Sequence, residues 1–353
     1  MKSVKYYLPL LILSFLVGIR VYVNCFDGTV SKQCIESEES IFTNKEKFPG
    51  RYFIKFRESS IELYRKYFPS PHSELLIGMV MGADELGKIP KFKESLKSTG
   101  TIHVVVVSGF NINLVFGLVI GLLGSKYKTK NLVIAQIVTL LYSMMTGFEP
   151  PVIRAWVMGS LVSWAKYYGR GIDGFRALVF TALLMILIWP YFLLSVSFQL
   201  SFLATFGLVT YGNFFQGILR SIFKVESFIV EDLSTTISAQ VFVLPIISLY
   251  FGRISLVSFI INPLVLWTVP ISTVLGSIFL IIGSISHVLG SLIAFFIYPF
   301  LDIFTSLIWF FGGFTFSSVS FSANAKTVSI YYLFTLLGAY LVNRNKRKAY
   351  ESK

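Results

Sequence analysis

Residues Ile102 to Gly124 read IHVVVVSGFNINLVFGLVIGLLG. This run contains no Asp, Glu, Lys or Arg, and about 20 predominantly apolar residues suffice to cross the hydrocarbon core of a bilayer. A chain built on such runs is a membrane protein. The pattern recurs, with spans predicted at Tyr6–Val23, Leu132–Phe148, Val152–Tyr168, Phe175–Trp189, Tyr191–Tyr211, Leu233–Phe251, Ile254–Ile285, His287–Phe311 and Val328–Val342. Leu75–Gly82 is apolar but too short to cross, which predicts a re-entrant or interfacial turn. Ile254–Ile285 is too long for one straight crossing and is interrupted at Asn262-Pro263 and Pro270, so a short dipping segment is expected before the crossing. The expected fold class is an all-α polytopic membrane protein of about ten transmembrane helices with re-entrant or broken segments.

Composition agrees. Hydrophobic residues make up 54% and charged residues 14%, against about 25% charged in ordinary soluble domains. That excludes a long cytoplasmic enzyme module. Lys and Arg number 31 against 18 Asp and Glu, a net charge of +13. On a soluble chain this excess would suggest nucleic acid, but on a membrane protein it first reflects basic cytoplasmic loops. The basic clusters are Lys126, Lys128 and Lys130; Lys166, Arg170 and Arg176; Arg220 and Lys224; and Arg344, Lys346, Arg347 and Lys348. Placing all of these inside with Lys2 and Lys5 gives ten crossings with both termini cytoplasmic. The domains then read as a first span at 1–23, a short extracytoplasmic insert at 24–72, a transmembrane domain at 73–342 and a basic tail at 343–353. No small-residue cleavage site follows Arg20-Val21-Tyr22, so the first span is expected to stay uncleaved. In the insert, Arg51-Tyr52-Phe53-Ile54-Lys55-Phe56-Arg57 alternates like a half-buried strand. Cys25 and Cys34 lack metal-ligand spacing, and a disulfide outside the cytoplasm stays open.

Polar groups at membrane depth need partners, which makes a few positions stand out. His103, Ser108 and Asn111 interrupt the first quoted run, with Gly109 between them allowing close approach of a neighbour. On one ideal helix His103, Ser108 and Asn111 share an arc of about 140°, while Asn113 points elsewhere. The four valines from Val104 to Val107 leave a locally extended backbone open. Glu149-Pro150-Pro151 predicts a helix start that puts Arg154 in the first turn, where a cation opposes the helix dipole. Pairing with Glu149, an anionic ligand, or snorkelling to the interface would each relieve it. Ser195 and Gln199 share a helix face, Thr236 and Gln240 repeat the spacing, and Asn262-Pro263 adds a polar break. All of these groups are equally compatible with helix packing.

Motifs for hydrolysis or phosphate binding are absent, His72, His103 and His287 are scattered, and most acids fall in predicted loops, with Asp302 alone well inside an apolar run. No catalytic residue, metal or cofactor is expected.

Gly100-Thr101-Ile102-His103 leading into Ser108-Gly109-Phe110-Asn111-Ile112 resembles the signature of the ComEC/Rec2 competence family, whose pattern is T-G-x-x-H, four apolar residues and S-G-[LF]-[HN]-I. Three further blocks agree in order: Arg154-Ala155 with Met158, Ser197-Phe198-Gln199-Leu200-Ser201-Phe202-Leu203-Ala204, and Gln240 through Phe251-Gly252 to Asn262-Pro263. The resemblance implies an inner-membrane channel that passes single-stranded DNA during natural transformation. His103, Ser108, Gly109, Asn111, Arg154, Gln199, Gln240 and Asn262 would then border its route. Asn111 stands where many members carry a second His, which argues for neutral hydrogen bonding there. Full-length members carry an OB-type domain near the N-terminus, of which residues 24–72 could hold a reduced form, and often a metallo-β-lactamase-like nuclease domain. Implied partners are therefore single-stranded DNA, membrane lipid, and separate DNA receptor, nuclease and cytoplasmic translocase proteins, with an oligomer compatible. The alternatives are a secondary transporter for a smaller anion and a membrane-embedded hydrolase.

Overall fold

Ser60, Tyr64 and Phe68 are all buried, and their spacing of four residues is that of a helix face. In the computed structural model, helix α1 spans Arg51–Tyr67, where alternation over seven residues had predicted a strand. The correction has a simple cause: the buried stripe lies beyond the alternating stretch, and burial decides. The Tyr64 hydroxyl donates to the Gly276 carbonyl at 3.0 Å, and Tyr67 and Phe68 meet Phe279 edge-on. Burial pushes the Tyr64 phenol well above its ordinary pKa, so it remains a donor.

The structure describes residues 51–338 except 84, 106–108, 125–128, 225–227, 315, 322, 325 and 336, together with 13–14 and 16–18. The expectations for the first span, Cys25 and Cys34, Ser108 and the basic tail lie wholly or largely outside the described residues.

Helix α2, His72–Met81, is buried at every position. At 1.5 Å per residue it covers about half of a bilayer core, as a re-entrant segment does. Gly82 ends it at φ +67°, with its N–H bonded to the Gly78 carbonyl. A 3-10 turn at Leu86–Lys88 leads to α3, Pro90–Ser98, and α4, Ile102–Val105. Then come α5, Gly109–Leu123; α6, Thr129–Met145; α7, Pro150–Tyr167; and α8, Gly174–Ile188. A 3-10 turn at Pro190–Leu194 precedes α9, Val196–Phe223, and α10, Phe228–Phe251. The last elements are β1, Arg253–Ser255; α11, Ser258–Val265; α12, Thr268–Ile285; α13, His287–Gly312; and β2, Ser318–Ser320, followed by helical residues 326–335.

The architecture is that of an all-α membrane protein carrying one two-stranded ribbon, in which Arg253, Ile254 and Ser255 pair antiparallel with Ser320, Val319 and Ser318. Among the described residues four helices are long and apolar enough to cross a bilayer alone: α9, α10 from Val230, α12 and α13. The shorter apolar helices α2, α5 and α8 fall below that length. Among the described residues these helices do not by themselves provide ten full crossings. Ile102–Gly124 is helical at α4 and α5, on either side of residues 106–108, which lie outside the described residues. Ile254–Ile285 divides at Leu266-Trp267 rather than at its prolines: Pro263 lies within α11, and Pro270 lies in the first turn of α12, where its missing donor is not needed. The run predicted at Tyr191–Tyr211 moves to Val196–Phe223, since Pro190 nucleates a 3-10 turn and Ser195 is extended.

The chain divides into two units. The first comprises Met1–Leu86, Val104–Gln199 and Val269–Leu301. In it, α5, α6 and α7 pack together around Ile112, Val152 and Ala155 at one level and Ile120, Leu132 and Ala135 at another. In the same unit Tyr67 meets His287 at 5.1 Å between ring centroids. The second unit comprises Gly87–His103, Leu200–Thr268 and Asp302–Lys353. Its core joins Tyr211, Phe206 and Phe242 of α9 and α10 with Tyr332.

Candidate functional site

In the first unit, the family-like blocks around Gly109 and Arg154 come together. A Cβ placed on Gly109 would lie 2.8 Å from the Ala155 Cβ, 3.1 Å from the Pro151 carbonyl and 3.2 Å from Arg154 Nη2. Only glycine permits that approach. Helices α5 and α7 therefore meet beside the half-buried Arg154 guanidinium, in the first turn of α7. The first two positions of α7 are prolines without an N–H, and Val152 and Ile153 donate to the Glu149 carbonyl, so only the positive dipole end of α7 adds to the guanidinium in favouring an anion. Arg154 faces α5 rather than snorkelling away from the protein.

Asn111, 1% exposed, donates its side-chain amide to the Met79 carbonyl at 2.8 Å. Tyr142 of α6 donates to the next carbonyl, Val80, at 3.0 Å. Two orphan carbonyls at the C-terminal end of α2 are thus satisfied by side chains from two other helices. Because Met79 offers only an acceptor, the Asn111 amide orientation is fixed. Its Oδ1 is left buried with no hydrogen-bond partner among the described residues. Asn113, by contrast, is exposed, on a different face from Asn111 as expected.

The second unit gathers Gly100, His103, Gln240 and Asn262. Thr99 and Thr101 are fully buried and their hydroxyls are 2.9 Å apart. Gly100, at φ +74°, brings the turn against Ser255 and Ser258, with Cβ approaches of 3.1 and 3.0 Å. The exposed His103 turns its ring back to the Gly100 carbonyl. Gln240 Nε2 donates to Ser258 Oγ at 2.9 Å, and Ser258 donates onward to the Ser255 carbonyl. That chain fixes the Gln240 amide and leaves its Oε1 buried without a partner among the described residues. Asn262, four residues along α11 from Ser258 and 4% exposed, has an Oδ1 in the same condition.

Gln199 is the exception. It bonds the Leu193 carbonyl at 3.0 Å and closes the 3-10 turn before α9, which is a structural task. Asp302 is exposed on α13. Glu74 escaped the sequence reading. It is 6% exposed in the first turn of α2 and accepts from Ser73 at 2.8 Å; its signal, an acid within the short apolar run, was available. No group of three His, Cys, Asp or Glu residues able to hold a metal gathers among the described residues. A groove of about 450 Å³ beside α7 and α8, lined by Trp156, Trp164, Tyr168, Arg170 and Phe180, contains none of the expected site residues.

The competence protein family model matches residues 82–345. The chain belongs to that family. An uncharacterized protein YcaI of Escherichia coli K12 is 27% identical over 78% of this chain and 38% of its own length. ComE operon protein 3 of Bacillus subtilis 168 is 29% identical over 60% of this chain and 26% of its own. An uncharacterized protein of Aquifex aeolicus VF5 is 36% identical over 34% of this chain and 28% of its own. The chain therefore matches well under half the length of each of these relatives. No solved structure matches.

Proposed function

We propose that this chain conducts single-stranded DNA across the cytoplasmic membrane, as the membrane component of a competence system and without catalysis of its own. The observation that carries this reading is the placement of the half-buried Arg154 guanidinium, in the first turn of α7, beside Gly109 where α5 and α7 approach closely. A phosphate backbone crossing a bilayer needs cationic or polar stations, since isolated charge in hydrocarbon costs several kcal/mol. In each unit a buried carboxamide oxygen without a partner among the described residues, Asn111 in the first and Gln240 and Asn262 in the second, supports local hydration, because each costs about 1–3 kcal/mol unless something donates to it. Water or a passing nucleotide amino group can do so. A separate DNA receptor, nuclease and cytoplasmic translocase would deliver and draw the strand, with both termini of this chain in the cytoplasm.

The buried half-helix α2 favours a second reading, a secondary transporter of a smaller anion, because broken helices build such sites. Import of labelled DNA into the cytosol of a deletion strain separates the two. Loss of import, restored by the intact gene, is expected; unchanged import overturns the conduction reading.

A further inference from the structure

The groove beside α7 and α8 lies wholly within the first unit and holds about 450 Å³, a size within the range of about 300–1,000 Å³ typical of small-molecule sites. Its wall on α7 is a helical stripe, Trp156, Ser160, Trp164 and Tyr168 at spacings of four, and Phe180 and Leu184 of α8 line the other side. The stripe runs about 18 Å along the helix axis, against about 15 Å for one leaflet's share of the hydrocarbon core. At one end the groove meets the turn after α7, where Arg170 joins the lining. We propose that this groove seats one anionic phospholipid, with an acyl chain along the α7 stripe and the phosphate held by Arg170. The inference needs a membrane around the chain but does not rest on the conduction reading.

Three observations favour this occupant. First, the polar groups midway along the stripe are already satisfied: Trp156 Nε1 donates to the Gln136 carbonyl at 3.2 Å, and the Ser160 hydroxyl to the Trp156 carbonyl at 2.6 Å. What remains there is carbon, which suits an alkyl chain. Second, Arg170 is exposed and has no acidic partner among the described residues, since Asp173, the acid next to it in sequence, pairs with Arg176 at 4.0 Å. Its backbone is fixed, because Gly169, at φ +66°, donates to the Lys166 carbonyl at 3.0 Å and Arg170 to the Ala165 carbonyl at 2.8 Å, closing α7 in a Schellman motif. Helix α8 begins just beyond, at Gly174, and its positive dipole end offsets the negative end of α7 for an anion bound there. Third, Trp164 and the exposed Tyr168 stack at 6.3 Å beside that end, and such amphipathic rings settle at headgroup level, which puts Arg170 among the phosphates. A nucleic acid strand carries a phosphate on every nucleotide and needs a row of cations. One guanidinium at the end of an apolar trough fits an amphiphile with one charge.

Native mass spectrometry of the full chain in mild detergent, titrated with dioleoylphosphatidylglycerol and with dioleoylphosphatidylcholine, counts the lipid retained. The wild type should hold one phosphatidylglycerol more tightly than phosphatidylcholine. Arg170→Gln should remove most of that preference, a loss of about fivefold for one cation at a headgroup. Lys166→Gln, which changes an exposed cation outside the groove lining, should leave the preference intact. Ala165→Phe fills the groove beside Arg170 and should weaken retention of both lipids. A wild type without headgroup preference, or an equal loss in Lys166→Gln, would overturn the proposal. So would displacement of the lipid by glycerol phosphate, which would assign Arg170 to free phosphate, or by an oligothymidylate, which would assign the groove to nucleic acid. A dimer that forms in place of lipid binding would give the groove to a second copy and count against the proposal equally. Melting temperature is the folding control; should Arg170→Gln fail to fold, unchanged retention by Ala165→Phe decides against the site.

Discussion

Asn111 in the first turn of α5 donates to the Met79 carbonyl in the last turn of α2, 2.8 Å away. The next carbonyl, Val80, is taken by Tyr142. A half-helix that ends inside protein must have its final carbonyls satisfied by other elements. Here two different helices supply the donors, so α2 is held at the level where α5 begins, beside Gly109 and Arg154.

Removing one of those donors should loosen that end. Asn111→Ala leaves the Met79 carbonyl buried and unbonded, at a cost of about 1–3 kcal/mol, and Tyr142→Phe should cost about 1 kcal/mol. Because both bonds close the same helix end, the double variant should be non-additive. Thermal unfolding of the purified protein in detergent checks this; an unshifted transition for Asn111→Ala would show that the clamp does not hold α2.

The approach of α5 to α7 depends on the missing side chain at Gly109. Gly109→Ala puts a methyl group 2.8 Å from the Ala155 Cβ, closer than real Cβ contacts, and should destabilise the pair by about 1–3 kcal/mol. Ala155→Gly removes the opposing methyl and should restore part of the loss in the double variant. A double-mutant cycle on melting temperature measures the coupling, and additivity within about 0.5 kcal/mol would place the strain elsewhere.

Much of this arrangement was legible in the sequence, for reasons tied to particular residues. Leu75–Gly82 was too apolar for a loop and too short for a span, which leaves a re-entrant helix. Gly109 and Arg154 stood out because polar, charged and very small residues inside apolar runs are costly or purposeful. Four valines from Val104 to Val107 suit a buried helix and an extended segment alike, and Val106 and Val107 lie outside the described residues. The helical form of Arg51–Tyr67 was hidden because its local alternation disagrees with the stripe that tertiary packing buries. Gln199 looked like a route residue, but its carbonyl partner comes from a turn that residue type alone cannot announce.

Arg154 separates electrostatics from packing. Arg154→Ala should reduce DNA uptake at least tenfold with membrane abundance retained, as loss of a charged contact of about 1.5–3 kcal/mol requires. Arg154→Lys keeps the charge but not the planar fork and should recover only part of the activity. Quantified import together with immunoblotting of membranes decides it. Loss of the folded protein in Arg154→Ala would give the residue to helix packing instead.

Gln240 offers the sharpest test of a wet route. Gln240→Met keeps the length of the side chain, removes the amide donor to Ser258 and removes the partnerless Oε1. The lost hydrogen bond costs about 0.5–1.5 kcal/mol, and deleting a buried acceptor that no protein group satisfies returns a similar amount. Stability should therefore move by less than about 1 kcal/mol. If the oxygen hydrates a passage for an anionic strand, DNA import should nevertheless fall several-fold, since a thioether cannot hold water there. A variant that imports DNA at the wild-type rate with an unchanged melting temperature would mean that Gln240 lies off the conducted path.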